Sequence, residues 1–141
     1  MTKHSRQLPP LFVAKFRSKF EAVIADQVMS AGIDWNPDDD YEAHTFPVEI
    51  PARKARYTPE FSWPDRKMIW EVKGRFQTAQ ERQKYILFAE QNPDYDLRFV
   101  FMRANTPIYP KSKTTMEKWA TDHGFTYAVG HIPTSWFEEL K

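Results

Sequence analysis

Apolar residues recur at helical spacing early in the chain, where Phe20, Val23, Ile24 and Val28, with Gln27 among them, fall on one face. Ser18-Lys19-Phe20-Glu21 opens this run as a capping box and Gly32 supplies its stop, which predicts a first helix. Before it, Leu8-Pro9-Pro10 resists regular structure and nothing ahead of Phe12 is periodic, so ordered structure is expected from about Phe16. The period then switches to two: Phe46, Val48 and Ile50 share a face, and Pro47 and Pro51 suit an edge strand or a crossing between subunits. Two further strands are expected near Tyr57–Trp63 and Lys67–Lys73, reversed at Trp63-Pro64-Asp65-Arg66 to form a hairpin. Thr78-Ala79-Gln80-Glu81 is a second capping box opening a helix that runs to about Gln91 and stops at Asn92-Pro93, and Leu97–Met102 alternates as a strand. A third box, Thr114-Thr115-Met116-Glu117, starts a helix ended by Gly124, after which Phe125–Val129 and a turn led by Ser135 close the chain. The order α-β-β-β-α-β, followed by a helix and an extended segment, predicts an α/β fold with no internal repeat.

Composition narrows the chemistry. A chain of 141 residues is one domain with length for a real core, and 41% hydrophobic residues with 16% aromatics argue for a packed globule. The absence of cysteine excludes disulfide frameworks, cysteine-ligated zinc, iron–sulfur clusters and thiol nucleophiles. Apolar runs such as Ile86–Ala89 fall far short of the roughly 20 residues that span a bilayer, and the start of the sequence lacks a signal-peptide pattern, so a soluble, unexported protein is expected. With four glycines, none in a phosphate-cradling pattern, use of a nucleotide cofactor is not expected.

The formal charge of +1 conceals an uneven layout. Residues 1–20 hold Lys3, Arg6, Lys15, Arg17 and Lys19 without an acid, residues 34–49 hold six acids without a lysine or arginine, and Arg53, Lys54 and Arg56 follow. A basic start reads as a nucleic-acid contact or as an ordinary solubility tail. Residues 1–15 are read as a flexible basic arm and 16–141 as one domain. The acidic run Asp38-Asp39-Asp40 lacks the turn glycine and terminal Glu of a calcium loop and reads as solvated. His4, His44, His123 and His131 are too scattered to suggest a metal or a base, and the five tryptophans read as packing residues.

The informative stretch is Tyr57-Thr58-Pro59-Glu60, ten residues, then Glu71-Val72-Lys73-Gly74. On a strand, period two puts Glu71 and Lys73 on one face about 7 Å apart with Ile69, while Met68, Trp70 and Val72 face the other way. The hairpin can bring Glu60 beside Glu71, and a few carboxylate oxygens with water and substrate phosphate suit a hard cation such as Mg²⁺. Two such ions about 4 Å apart can drive in-line displacement at a phosphodiester. Lys73 could then stabilise charge on the phosphate or, with its pKa lowered by the cations, help to position and deprotonate the attacking water; spacing does not choose, and a simple cross-strand charge pair fits it as well.

On this element order, Pro59-Glu60 with Glu71-Val72-Lys73 resembles the PD-(D/E)xK, restriction-endonuclease-like nucleases. Phe16-Arg17-Ser18 with Glu21, Ile50-Pro51-Ala52, Tyr57-Thr58-Pro59, Glu71-Val72-Lys73-Gly74 and Ile132-Pro133 with Trp136 narrow the resemblance to the phage endonuclease I family of Holliday-junction-resolving enzymes, from about Phe16 to Trp136.

That resemblance implies a restriction-endonuclease-like core with a mixed sheet in an intertwined, segment-swapped homodimer. Residues 16–50 would form helix one and an exchanged strand, 49–56 the bridge between subunits, and 57–141 the catalytic core. Glu21, Glu60, Glu71 and Lys73 would form the active site, with Glu60, Glu71 and the Val72 carbonyl as ligands to Mg²⁺ (Mn²⁺ substituting), two ions per site, and with Glu21 acting in trans. The reading of Glu21 as a capping-box residue competes with that role. The substrate would be four-way and other branched DNA, cut in pairs near the branch, in the cytoplasm of the infected bacterial host. Lys3, Arg6, Lys15, Arg17, Lys19, Arg53, Lys54, Arg56, Arg75, Lys111 and Lys113 are the candidate DNA contacts. The family pattern has Asp where this chain has Glu60, and the extra methylene moves the carboxylate by about 1 Å in a site that tolerates roughly 0.5 Å. A junction-binding dimer with impaired catalysis and a linear-duplex endonuclease therefore stand beside the resolvase reading.

Overall fold

The computed structural model describes residues 7–50 and 53–141, so Lys3, Arg6, Pro51 and Ala52 lie outside the described residues. Its centre is a four-stranded sheet of β3 (Phe61–Trp63), β4 (Met68–Lys73), β5 (Asp96–Phe101) and β6 (Thr126–Val129), adjacent in that order. β3 runs antiparallel to β4, while β4, β5 and β6 are parallel, which gives the mixed sheet the sequence implied. The parallel pairs are joined through α4 (Ala79–Gln91) and α5 (Met116–Asp122), as crossover connections require.

Strand alternation divides the interior into two cores. Met68, Trp70 and Val72 of β4 face Ala22, Ile24, Ala25 and Val28 of α2 (Lys19–Ser30) and Trp136 and Phe137 of α6 (Thr134–Glu138). Ile69, Leu97, Phe99 and Phe101 face the opposite layer, where Tyr85 and Phe88 of α4 pack with Met116 and Trp119 of α5. Trp35, Trp70, Trp119 and Trp136 are all buried, as packing residues should be. The polar Gln27 on the buried face of α2 is explained by a clamp: its amide donates to the Ile132 carbonyl at 3.0 Å and accepts from the Ile132 amide at 3.1 Å. Arg98, buried on β5, fixes α6 through two bonds to Glu139 at 2.8 and 2.7 Å and lies 5.0 Å from the Trp136 ring centre.

Several elements depart from the sequence reading. Instead of an unstructured start, α1 (Pro10–Val13) forms one helical turn, because Pro10 sits in the first turn where its missing N–H costs nothing, and Leu8, Phe12 and Val13 pack against the first core. The acidic loop contains another turn, α3 (Pro37–Asp40), capped by Asn36. The expected strand Tyr57–Trp63 is two: β2 (Arg53–Tyr57) ends at Tyr57, and Thr58-Pro59-Glu60 intervenes before β3. The cap of α5 is Thr115, one residue later than expected, since its hydroxyl accepts from the Lys118 amide at 3.1 Å while Glu117 turns to the Asn105 amide at 2.9 Å. Ser135 is not a cap, for α6 begins at Thr134 without a side-chain cap bond.

The strand β1 (Phe46–Ile50) pairs antiparallel with β2 as a separate two-stranded sheet, from Phe46 opposite Tyr57 to Ile50 opposite Arg53. Its Phe46 ring lies 5.5 Å from Phe88 of α4, and the backbone of Glu49 makes reciprocal bonds with the Gln91 amide at 2.7 and 2.5 Å. Within the one chain described, the two strands of the segment expected as a bridge over 49–56 satisfy each other's backbone groups, and α4 covers their apolar face, while residues 51–52 between them lie outside the described residues. No helix among the described residues is long and apolar enough to cross a membrane.

Candidate active site

Register builds the site. Phe61 pairs with Trp70, so Glu60, one residue before β3, meets Glu71 at the next rung, as the hairpin predicted. Glu60 and Glu71 are both buried, and one Glu60 oxygen accepts from the Val72 amide at 2.9 Å. The phenol of Tyr57, at the end of β2, donates to Glu71. Burial first, then the charge of Glu71, then a hydrogen bond to Glu21 push the Glu60 carboxyl well above the ordinary carboxylate range. Glu71 is also raised, chiefly by burial, against the opposing pull of Lys73 and of hydrogen bonds from Tyr57 and Glu60. Burial and the neighbouring like charge disfavour ionisation of both carboxyls together in the absence of a cation.

Glu21 reaches this pair from α2. Its oxygen accepts from the Arg17 amide at 3.1 Å and from the Tyr41 phenol, and its carboxylate meets Glu60. The Ser18 hydroxyl caps the Glu21 amide at 3.0 Å, yet the Glu21 side chain returns to Arg17 rather than Ser18. Capping and a place in the site are therefore compatible. Within the one chain described, Glu21 stands beside Glu60.

Lys73 is two residues beyond Glu71 on the same face and makes a 2.6 Å ion pair with Glu81 of α4. Burial alone would lower the ammonium's pKa, but the carboxylates of Glu71, Glu60 and Glu81 outweigh it and hold Lys73 above its ordinary value. Without a cation in the site, Lys73 is therefore held as an ammonium beside the acids. Glu81 was read only as a capping-box residue; the repeated S/T-x-x-E pattern at Ser18–Glu21 and Thr78–Glu81 was the available signal, because both capping glutamates turn into the site.

Glu60, Glu71, Lys73 and Glu81 line an open cavity of about 580 Å³ whose wall also includes Arg17, Arg56, Gln80, Gln83 and Lys84. Of the candidate DNA contacts, Arg17 and Arg56 are brought to the cavity and Lys84, overlooked in the sequence, joins them with its ammonium 3.0 Å from the Arg56 carbonyl. Arg17 is paired with Glu42 at 3.0 Å and Lys15 with Asp38 at 2.5 Å, so both meet solvent partly neutralised. Lys19, Lys54, Arg75, Lys111 and Lys113 are exposed but do not line the cavity, and Arg53 opens β2.

The paired acids fit a hard divalent cation: both offer carboxylate oxygens, and their burial and mutual repulsion leave them short of positive charge. Among the described residues no group of three or more His, Asp or Glu forms a ready-made ligand cage, and Mg²⁺ characteristically relies on one or two carboxylates with water and substrate oxygens.

A buried acid pair beside a lysine in an open cavity that Arg17, Arg56 and Lys84 also line is chemistry that could serve a phosphodiester, and the sequence comparisons decide the lineage. The family model for phage endonuclease I matches residues 3–141. The chain belongs to the phage endonuclease I family. Endonuclease I of Escherichia phage T7 is 35% identical over 129 residues, covering 92% of this chain and 83% of that protein. Endodeoxyribonuclease 1 of Enterobacteria phage T3 is 35% identical over 126 residues, covering 89% and 79% respectively. The endonuclease I match spans both cores and every site residue described above, Glu21, Glu60, Glu71, Lys73 and Glu81.

Proposed function

We propose that this phage endonuclease is a metal-dependent DNA nuclease that resolves four-way and other branched junctions by paired cuts near the branch. The observation that carries the catalytic half is the Glu60–Glu71 pair, whose carboxyls face each other in a buried position with Lys73 fixed alongside. Glu60 and Glu71, with the Val72 carbonyl, would hold Mg²⁺ or Mn²⁺, up to two ions, which when bound supply Lewis-acid activation of water and charge neutralisation at the phosphate. Lys73 stays protonated and stabilises the negative charge that grows on the phosphate oxygens as the water oxygen bonds to phosphorus and the bond to the sugar oxygen breaks. Arg17, Arg56 and Lys84 at the cavity rim contact flanking phosphates, which positions the strand without reading its sequence.

The junction and the pairing of cuts rest on the family resemblance together with a homodimer, whose two-fold symmetry matches a substrate with opposed strands. Exchange of the segment up to β1 between two copies would hand α2 and Glu21 to the partner while β2–β6 keep Glu60, Glu71 and Lys73 together. The Glu60 carboxylate accepts from the Val72 amide at 2.9 Å beside Glu71, which supports a working place for it in the site.

The test separates cutting from binding. Glu71→Ala should abolish junction cleavage in Mg²⁺ while junction affinity is kept. Wild-type protein that binds junctions tightly and never cuts them would establish the binding-module alternative instead.

A further inference from the structure

We infer that Glu81 is the positioning residue for Lys73, aiming its ammonium at the scissile phosphate; this rests on the nuclease reading of the site. Glu81 contributes to the site from α4, a different element from the strand that carries Lys73, and each of its oxygens has a separate task. Oε1 accepts from the Gln77 amide at 2.6 Å and closes the helix cap, with the Glu81 amide held by the Thr78 hydroxyl at 3.0 Å. Oε2 accepts from the Tyr85 phenol at 2.7 Å and pairs with Lys73 at 2.6 Å. The carboxylate is thus held by two donors, and its backbone by a third bond, before Lys73 meets it. Lys73 itself has a flexible stem, and Tyr85, whose ring centre is 5.6 Å from the ammonium, restricts it from one further side. Lys73 and Glu81 are each about one-fifth exposed, at 19% and 18% of their side-chain surface, so the pair is shielded from solvent yet open to the cavity. Without Glu81 the ammonium would turn toward Glu60 and Glu71 and sit across the acid pair rather than beside it.

Glu81→Gln tests this, because glutamine keeps an acceptor for the Gln77 amide and the helix cap while removing the ion pair. The single-turnover rate of junction cleavage should fall on the order of 10-fold, as for other residues that orient a functional group, with junction affinity unchanged. In a Lys73→Met background the same substitution should change the rate by less than about twofold, because a residue that works through Lys73 has nothing left to orient. A contribution from helix capping alone would instead multiply with the Lys73 effect. Independently of any activity, the immobilised Lys73 ammonium should give a slowly exchanging nitrogen-15 signal by NMR in the wild-type protein, assigned by its absence from Lys73→Met. Wild-type cleavage by Glu81→Gln, multiplicative effects in the double variant, or absence of that ammonium signal would each overturn the inference. A wild-type protein that cuts no DNA would overturn the nuclease reading alone, with the ammonium signal still testing the pair.

Discussion

At Glu60, burial works against the charge that function requires. The folded pKa is raised above the ordinary carboxyl value, so the folded chain binds more protons than the unfolded one between those two values. Stability from this pair is therefore greatest at acid pH and falls as pH rises from the ordinary carboxyl range toward the raised value. Glu60→Gln retains an acceptor for the Val72 amide and removes the conflict with Glu71, so in the absence of divalent cations its melting temperature should exceed that of the wild type at neutral pH, and the gain should vanish on acidification. Calorimetry across pH measures this, and an unchanged or lower melting temperature at neutral pH would show that the pair is relaxed in some other way. Glu60, Glu71 and Lys73 were legible in the sequence because strand period two and one hairpin fix their meeting. Glu81 and Lys84 were not, since α4 meets the end of β4 only through tertiary packing, and a capping pattern describes a helix terminus without saying what else lies beside it.

The helices carry site residues at their starts, so capping and catalysis are linked at the scale of elements. Ser18→Ala removes the hydroxyl that caps α2 and should cost about 1 kcal/mol of stability in denaturant titration. Because Glu21 follows three residues later and is tied separately to Arg17 and Tyr41, that variant should fold and keep its site. At the far side of the sheet, Arg98→Ala removes the bonds that fix α6 and should cost about 1–3 kcal/mol, with Trp136 fluorescence reporting the loosened helix. The Glu139 carboxyl is held below its ordinary value by its hydrogen bond to Arg98, so the pair's contribution is full above the ordinary carboxyl pKa and is lost as pH falls through the lowered one. Long elements with clear periods, α2, α4 and β5, were readable to within a residue or two. The short α1 and α3 and the break at Thr58–Glu60 were not, because single turns depend on a proline or asparagine at one position and on contacts made elsewhere in the chain.

For the whole molecule, the sheet holds the acid pair and Lys73 on the α4 side while α2 supplies Glu21. Sedimentation should find a dimer, and a monomer at micromolar concentration would remove the basis for paired cuts. Phosphate contacts by Arg17, Arg56 and Lys84 should make junction affinity fall steeply with salt. The central claim is that this site cuts branched DNA with the help of a divalent cation. Its most direct test is cleavage of a labelled four-way junction beside a linear duplex of equal length, in Mg²⁺, Mn²⁺ or EDTA. The account predicts symmetric cuts near the branch in the junction, in either metal and not in EDTA, with the duplex left intact. Equal cutting of both substrates, cutting in EDTA, or tight junction binding with no cut in either metal would contradict it.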